Sequence, residues 1–135
     1  MINTNKKFHK VSKESMNTMH EEEIEILRDL LFELDIPSND EKIIPLFDKL
    51  LEHMQEHFES EEKLMQESHY PSFRMHQAEH AKVLREARYI EMQSRNAKES
   101  EVIRSYLKDE LSPWLDQHIQ AMDTPLSDYL VSMGL

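Results

Sequence analysis

The sequence contains no cysteine, so disulfide bonds and thiolate metal ligands are excluded throughout the chain. The lack of cysteine fits a reducing compartment, and no signal peptide is visible at the polar N-terminus, so we expect a cytoplasmic protein. Glycine occurs only once, whereas Glu, Leu, Met and Lys are abundant, and this composition is typical of all-helical proteins. No apolar stretch approaches the roughly 20 residues that span a bilayer.

Positive charge is also scarce, because 16 Lys and Arg residues stand against 27 Asp and Glu residues, giving a formal net charge of -11. This balance disfavours nucleic acid and anionic membranes as partners. A chain of 135 residues suffices for one domain with a real core. We expect residues 1–14, which are polar and aperiodic, to form an N-terminal arm, and residues 15–135 to form the domain.

Apolar residues recur at steps of three and four, as expected of helices with one face in a core. The pattern predicts four helices, with these approximate bounds: Ser15 to Leu34, Ser38 to Glu67, Pro71 to a loop at 94–100, and Glu101 to Met122. Pro113 should kink the fourth helix and Thr124-Pro125 should end it, with a short C-terminal helical turn beyond. Short connections predict an all-α fold, an up-down-up-down antiparallel four-helix bundle.

Histidines and carboxylates lie on the inward faces, at the helix ends that an antiparallel bundle brings together. His57 with Glu61, and His76 with His80, are each four residues apart, so each pair projects from one helical face. Seven ligand-type side chains should meet in one layer: His20, His57, Glu61, His76, His80, His118 and Asp123. Such a cluster is costly to bury without a cation, so a metal site is favoured over a self-satisfied polar core. Histidine and carboxylate donors suit several metal ions, zinc and manganese among them.

Other polar and sulfur-containing side chains are assigned simpler roles. His9 in the arm and His69 in a turn are expected to be exposed, and Glu59 and Glu62 to be solvated charges. His53 lies one turn before the first ligand of the second helix, and we expect it to support a ligand or to pack in the core. Four methionines are expected to fill the core, at positions 54, 65, 75 and 122.

The order of these residues resembles the signature of the hemerythrin family in its single-domain bacterial form. The resemblance rests on four segments: His20; His57-Phe58-x-x-Glu61-Glu62-x-x-Met65; Tyr70-Pro71-x4-His76-x3-His80; and Trp114-Leu115-x2-His118-Ile119-x3-Asp123. These segments extend from the first helix to the end of the fourth, so the resemblance covers nearly the whole chain.

The resemblance implies a non-haem di-iron centre with a bridging oxo or hydroxo group. Its ligands, transferred position by position, form three sets: His76, His80 and His118 on one iron, His20 and His57 on the other, and Glu61 and Asp123 as bridges. The iron with two histidines would keep one open position. Trp114, Leu115 and Ile119 would form the wall of an O2 pocket.

The function implied by the resemblance is reversible O2 binding for storage, delivery or scavenging, without enzymatic turnover. Two alternatives use the same centre: a stand-alone sensor of O2 or NO, and a di-iron enzyme that acts on peroxide or NO. O2 is the expected partner, and the sequence identifies no protein partner.

Overall fold

The computed structural model describes residues 9–36, 40–97 and 100–135, most of which are helical, with no strand among them. Three regular helices come first: α1 (Glu14–Leu34), α2 (Asp40–Glu67) and α3 (Phe73–Ala97). A fourth, continuous helical segment has five parts: α4 (Glu101–Tyr106), a π turn (Leu107–Leu111), α5 (Ser112–His118), a second π turn (Ile119–Asp123) and α6 (Thr124–Ser132). Because α1 packs on α2, α2 on α3 and α3 on α4, the predicted four-helix bundle is confirmed.

The helix ends differ from the predicted ones in two places. The third helix begins at Phe73 rather than Pro71, because a turn precedes it in which His69 has a positive φ of 56°. The same helix continues to Ala97, inside the loop predicted at 94–100, of which residues 98–99 lie outside the described part of the chain.

Each π turn is followed by a proline two residues after its end. The Ser112 N–H donates to the Leu107 carbonyl five residues back, and Pro113 comes next. The Thr124 N–H likewise donates to the Ile119 carbonyl, and Pro125 comes next. Proline has no N–H to donate within a helix, and the extra residue in each turn shifts the hydrogen-bond register at that point.

The predicted stop at Thr124-Pro125 is therefore wrong, because the helix continues without interruption to Ser132. Both flanking residues keep helical dihedral angles, with φ −72° and ψ −34° at Asp123 and φ −63° and ψ −50° at Thr124. The disturbance expected at Pro113 takes the form of the π turn that precedes it.

Buried apolar side chains form two clusters. The larger cluster extends along the bundle: Leu27, Leu30, Leu31, Leu34, Ile43, Phe47, Leu50, Leu51, Met54, Phe58, Val83, Ala87, Ile103, Tyr106, Leu107, Leu111 and Leu115. The smaller cluster comprises Val11, Met16, Met65, Ile119, Leu126 and Leu130. Met54 and Met65 are buried as predicted, whereas Met75 is 62 % exposed, so its predicted core position is wrong.

Residues just before α1 are held against α6. The Lys13 N–H donates to the Ser127 Oγ at 2.6 Å, and the Ser12 hydroxyl donates to Asp128 at 2.6 Å. Val11 is buried, and its N–H donates to the Asn17 side chain at 2.8 Å. None of the helices in the described ranges has the length and apolarity that crossing a membrane requires.

The large cluster predicts a sharp contrast between two phenylalanines. Phe47 is fully buried and Phe32 is 67 % exposed. Phe47→Ala should lower the free energy of unfolding by about 3–5 kcal/mol, because it removes core packing and leaves a cavity. Phe32→Ala should change it by less than about 0.5 kcal/mol. Urea denaturation of both variants measures the difference, and equal losses would contradict this description of the core.

Candidate metal centre

A layer of buried polar side chains separates the two apolar clusters. Along α2, for example, Phe58 belongs to the large cluster and Met65 to the small one, and Glu61 lies between them. The same order holds on the other helices. The layer contains all seven predicted ligand residues, none more than 4 % exposed: His20, His57, Glu61, His76, His80, His118 and Asp123. Apolar packing on both sides therefore helps to bury this layer.

The donor atoms of the layer form two overlapping groups, and within each group all atoms lie within 4.8 Å of one another. One group contains five residues: Glu61, His76, His80, His118 and Asp123. The other contains four: His20, His57, Glu61 and Asp123. Glu61 and Asp123 belong to both groups, so each carboxylate can offer one oxygen to either side.

The side with two histidines is organised by short contacts through Nε2. His57 Nε2 lies 2.7 Å from Glu61 Oε2, and His20 Nε2 lies 3.0 Å from Asp123 Oδ2. Both oxygens are the second oxygen of their carboxylate. The two imidazole rings meet edge to face, with centroids 5.1 Å apart. Two imidazole nitrogens and two carboxylate oxygens thus converge on this side.

On the opposite side, three imidazoles direct Nε2 at the first oxygens of the same carboxylates. His76 and His118 lie 3.0 and 3.2 Å from Asp123 Oδ1, and His80 lies 3.2 Å from Glu61 Oε1. His76 Nε2, Glu61 Oε1 and Asp123 Oδ1 form no hydrogen bond despite these short distances. Buried donor atoms that lie this close together without hydrogen bonding to one another could all be satisfied by one bound cation. This donor set fits a cation.

The pKa shifts of the buried groups also indicate that this layer favours positive charge. Burial opposes the charged form of Glu61, yet His57 holds its pKa well below the usual range. Burial likewise opposes protonation of His57, but Glu23 and Glu61 raise its pKa well above the usual value. The pKa of His76 rises to about 9 against the effect of burial, because its Nε2 faces Asp123 and Glu61. Burial and Glu61 oppose ionisation of Asp123, yet contacts with three imidazoles lower its pKa as well, so both buried carboxylates favour the anionic form and attract cations.

The spacing of His118 and Asp123 depends on the second π turn. Residues five positions apart on a regular α-helix point about 140° away from each other. The π turn Ile119–Asp123 adds one residue to the helical turn, so both side chains face the same centre. Sequence analysis did not predict this turn, although the five-residue spacing of two inward ligands is its signal.

Glu23 is a functional residue that sequence analysis missed. It is 2 % exposed, and His57 Nδ1 lies 3.1 Å from its Oε1. His53 Nδ1 lies 3.3 Å from the same oxygen, so His53 supports the layer from outside it. The inward stripe of α1 passes through Glu23, whereas the neighbouring apolar residue Ile24 is only half-buried. Three- and four-residue steps from His20 through Glu23 would have indicated this.

Glu62 is not the solvated charge that we expected. Its side chain is 21 % exposed, and His80 Nδ1 lies 3.1 Å from its Oε2. Gln77 Nε2 donates to its other oxygen at 3.0 Å. His9 and His69 are exposed, as predicted.

The three predicted pocket residues surround His118. Trp114 stacks on the His118 ring, with centroids 4.5 Å apart and planes 15° apart. Leu115 and Ile119 are each 3 % exposed, Leu115 in the large cluster and Ile119 in the small one. These two side chains therefore flank the polar layer from opposite faces.

Comparisons with known proteins agree with this geometry. Residues 13–130 match the family described as Hemerythrin HHE cation binding domain. The chain is also 32 % identical over 124 residues to a bacteriohemerythrin of Aquifex aeolicus (strain VF5), covering 92 % of this chain and 94 % of that protein. No solved structure matches the chain significantly. The chain belongs to the hemerythrin family.

The shared carboxylates generate a prediction about cation binding. Added Fe²⁺ or Zn²⁺ should raise the midpoint of thermal unfolding of the metal-depleted protein, because an ion that binds only the folded state stabilises it. Asp123→Asn should abolish most of this increase, since it removes a charge shared by both donor groups. Asp109→Asn, an exposed position of the same helical segment, is the matched control and should keep it. An equal increase in both variants would contradict the site.

Proposed function

We propose that this protein binds O2 reversibly at a non-haem di-iron centre and thereby stores, delivers or scavenges O2. The observation that carries the proposal is the pair of overlapping donor groups that share Glu61 and Asp123. A single-ion site would not need two shared carboxylates with five imidazoles around them. The family match over residues 13–130 supports the same class of centre.

The proposed ligand assignment follows the two donor groups. Three sets are proposed: His76, His80 and His118 on one iron, His20 and His57 on the other, and Glu61 and Asp123, with an oxo or hydroxo group, as bridges. The position with two histidines has fewer protein donors, so we assign the exchangeable coordination site to it. When bound, a pair of ferrous ions would supply the two electrons that reversible O2 binding uses.

The chain's own residues provide the conditions for binding rather than turnover. Five neutral imidazoles and two carboxylates give a less electron-rich environment than a carboxylate-dominated site, which favours holding O2 over splitting it. The apolar clusters on both faces exclude water from the layer. Trp114, Leu115 and Ile119 are proposed as the pocket wall that keeps water and protons out.

A groove between α1 and α2 supports access to the position with two histidines. It has a volume of about 310 Å³ and reaches His57 and Glu61. Its other lining residues are small or apolar: Ser15, Met16, Thr18, Met19, Ser60 and Leu64. A small uncharged molecule fits this lining better than an anion, because Glu61 is acidic and the described lining residues include no Lys or Arg.

Spectroscopy of the iron-loaded protein tests the proposal. We expect two iron ions per chain, and an absorption change when O2 is added to the reduced protein that reverses when O2 is removed. An enzyme that acts on peroxide or NO would instead return rapidly to the oxidised state and consume its substrate. A sensor would show the reversible change together with an altered partner affinity. Absence of any O2-dependent change in a two-iron protein would refute O2 binding.

The pocket wall generates a separate prediction about autoxidation. Leu115→Ala should leave the iron content unchanged but increase the rate at which the oxygenated protein oxidises, because water gains access beside His118. Leu111→Ala is the control, since Leu111 is equally buried but lies one turn further from the layer. Stopped-flow absorption measures both rates. Equal rates in the two variants would remove Leu115 from the wall.

A further inference from the structure

The five inward imidazoles differ in whether their Nδ1 atom, on the side of the ring away from the proposed metal, has a hydrogen-bond partner. His57 Nδ1 faces Glu23, and His80 Nδ1 faces Glu62, each at 3.1 Å. Three imidazoles have a buried Nδ1 without a hydrogen-bond partner: His20, His76 and His118. One imidazole of each proposed metal position therefore has a carboxylate behind it.

These two supporting carboxylates differ in their surroundings. The Glu62 side chain is 21 % exposed and also accepts a hydrogen bond from Gln77, so water and the amide share its charge. The Glu23 side chain is 2 % exposed and is held by His57 and His53. Because a charge acts more strongly where solvent is excluded, Glu23 affects its imidazole more than Glu62 affects His80.

The position that Glu23 supports is the one with fewer ligands. Both positions share Glu61 and Asp123, but one has three imidazoles and the other has His20 and His57 alone. An acceptor on Nδ1 fixes the proton there, leaves Nε2 free for the metal and makes that nitrogen a stronger donor. A buried negative charge behind His57 thus offsets the missing third imidazole.

His53 holds Glu23 in this arrangement. Its Nδ1 lies 3.3 Å from Glu23 Oε1, and its Nε2 lies 3.1 Å from Glu22, whose side chain is 55 % exposed. The ring is thus fixed at both nitrogens, with one end in the core and the other at the surface. We infer that Glu23, oriented by His53, is a positioning residue that retains the metal ion held by His20 and His57. This inference rests on the proposed ligand assignment.

Titration of the full-length, metal-depleted chain with Co²⁺ against a chelator tests the inference without O2. The wild type should bind two ions, each with its own visible absorption bands. Glu23→Gln should lower the affinity for one of the two Co²⁺ ions by roughly 10–100-fold and leave the affinity for the other unchanged. Glu62→Gln should have a smaller effect, and Glu25→Gln, an exposed residue of the same helix, should have none. The inference would be overturned if Glu23→Gln lowered the affinity for both ions equally, or for neither.

A second pair of variants separates positioning from folding. His53→Phe removes the hydrogen-bond donor to Glu23 and should lower the affinity for the same single ion. His53→Asn places an amide nitrogen near the former Nδ1 and should restore binding to within a few-fold of the wild type. Equal affinities in these two variants would overturn the role of His53. A wild type that binds only one ion would refute the di-metal assignment itself, and absent O2 binding with two ions bound would refute only the proposed function.

Discussion

Two carboxylates buried in the middle of the bundle are the constraint on which the rest of the structure depends. Glu61 and Asp123 are 2 % and 0 % exposed, and a bare carboxylate in such surroundings would be very costly. The other features of the site offset this unfavourable free energy of burial or add to the burial itself. Five imidazoles direct Nε2 at the four oxygens, and apolar side chains close the layer on both faces. Charge balance in this layer, more than helix packing, determines which residues the four helices must bring together.

Much of this arrangement could be predicted from the sequence because helical periodicity is regular. Residues four apart share a helical face, so the spacing alone predicted the ligand pairs on the second and third helices. The antiparallel order of the helices then predicted that the ligand-bearing end of each of the four helices lies at the same end of the bundle. This reasoning works wherever hydrogen bonding keeps the α-helical register, and it gave the bundle and the location of the seven ligand-type residues.

The sequence-based prediction failed where the register changes or where a residue type is ambiguous. Pro125 is a helix breaker on general grounds, but a π turn before it lets the helix continue. Glu23 stands in a run of three glutamates, two of which are exposed, and only the three- and four-residue steps from His20, not its residue type, distinguish it. Glu62 is half-buried because its Oε2 lies 3.1 Å from His80 Nδ1, a tertiary contact that no local pattern contains.

The small apolar cluster joins the two ends of the domain over one face of the metal layer. Val11 comes from the segment before α1, whereas Leu126 and Leu130 come from α6, and the Lys13 N–H donates to the Ser127 Oγ in the same contact. The Tyr129 hydroxyl, which donates to the Ser68 carbonyl at 2.6 Å, fastens α6 to the turn between α2 and α3. This face of the layer is therefore completed by side chains from opposite ends of the described chain, so the first and last segments must fold together before the ligands are covered.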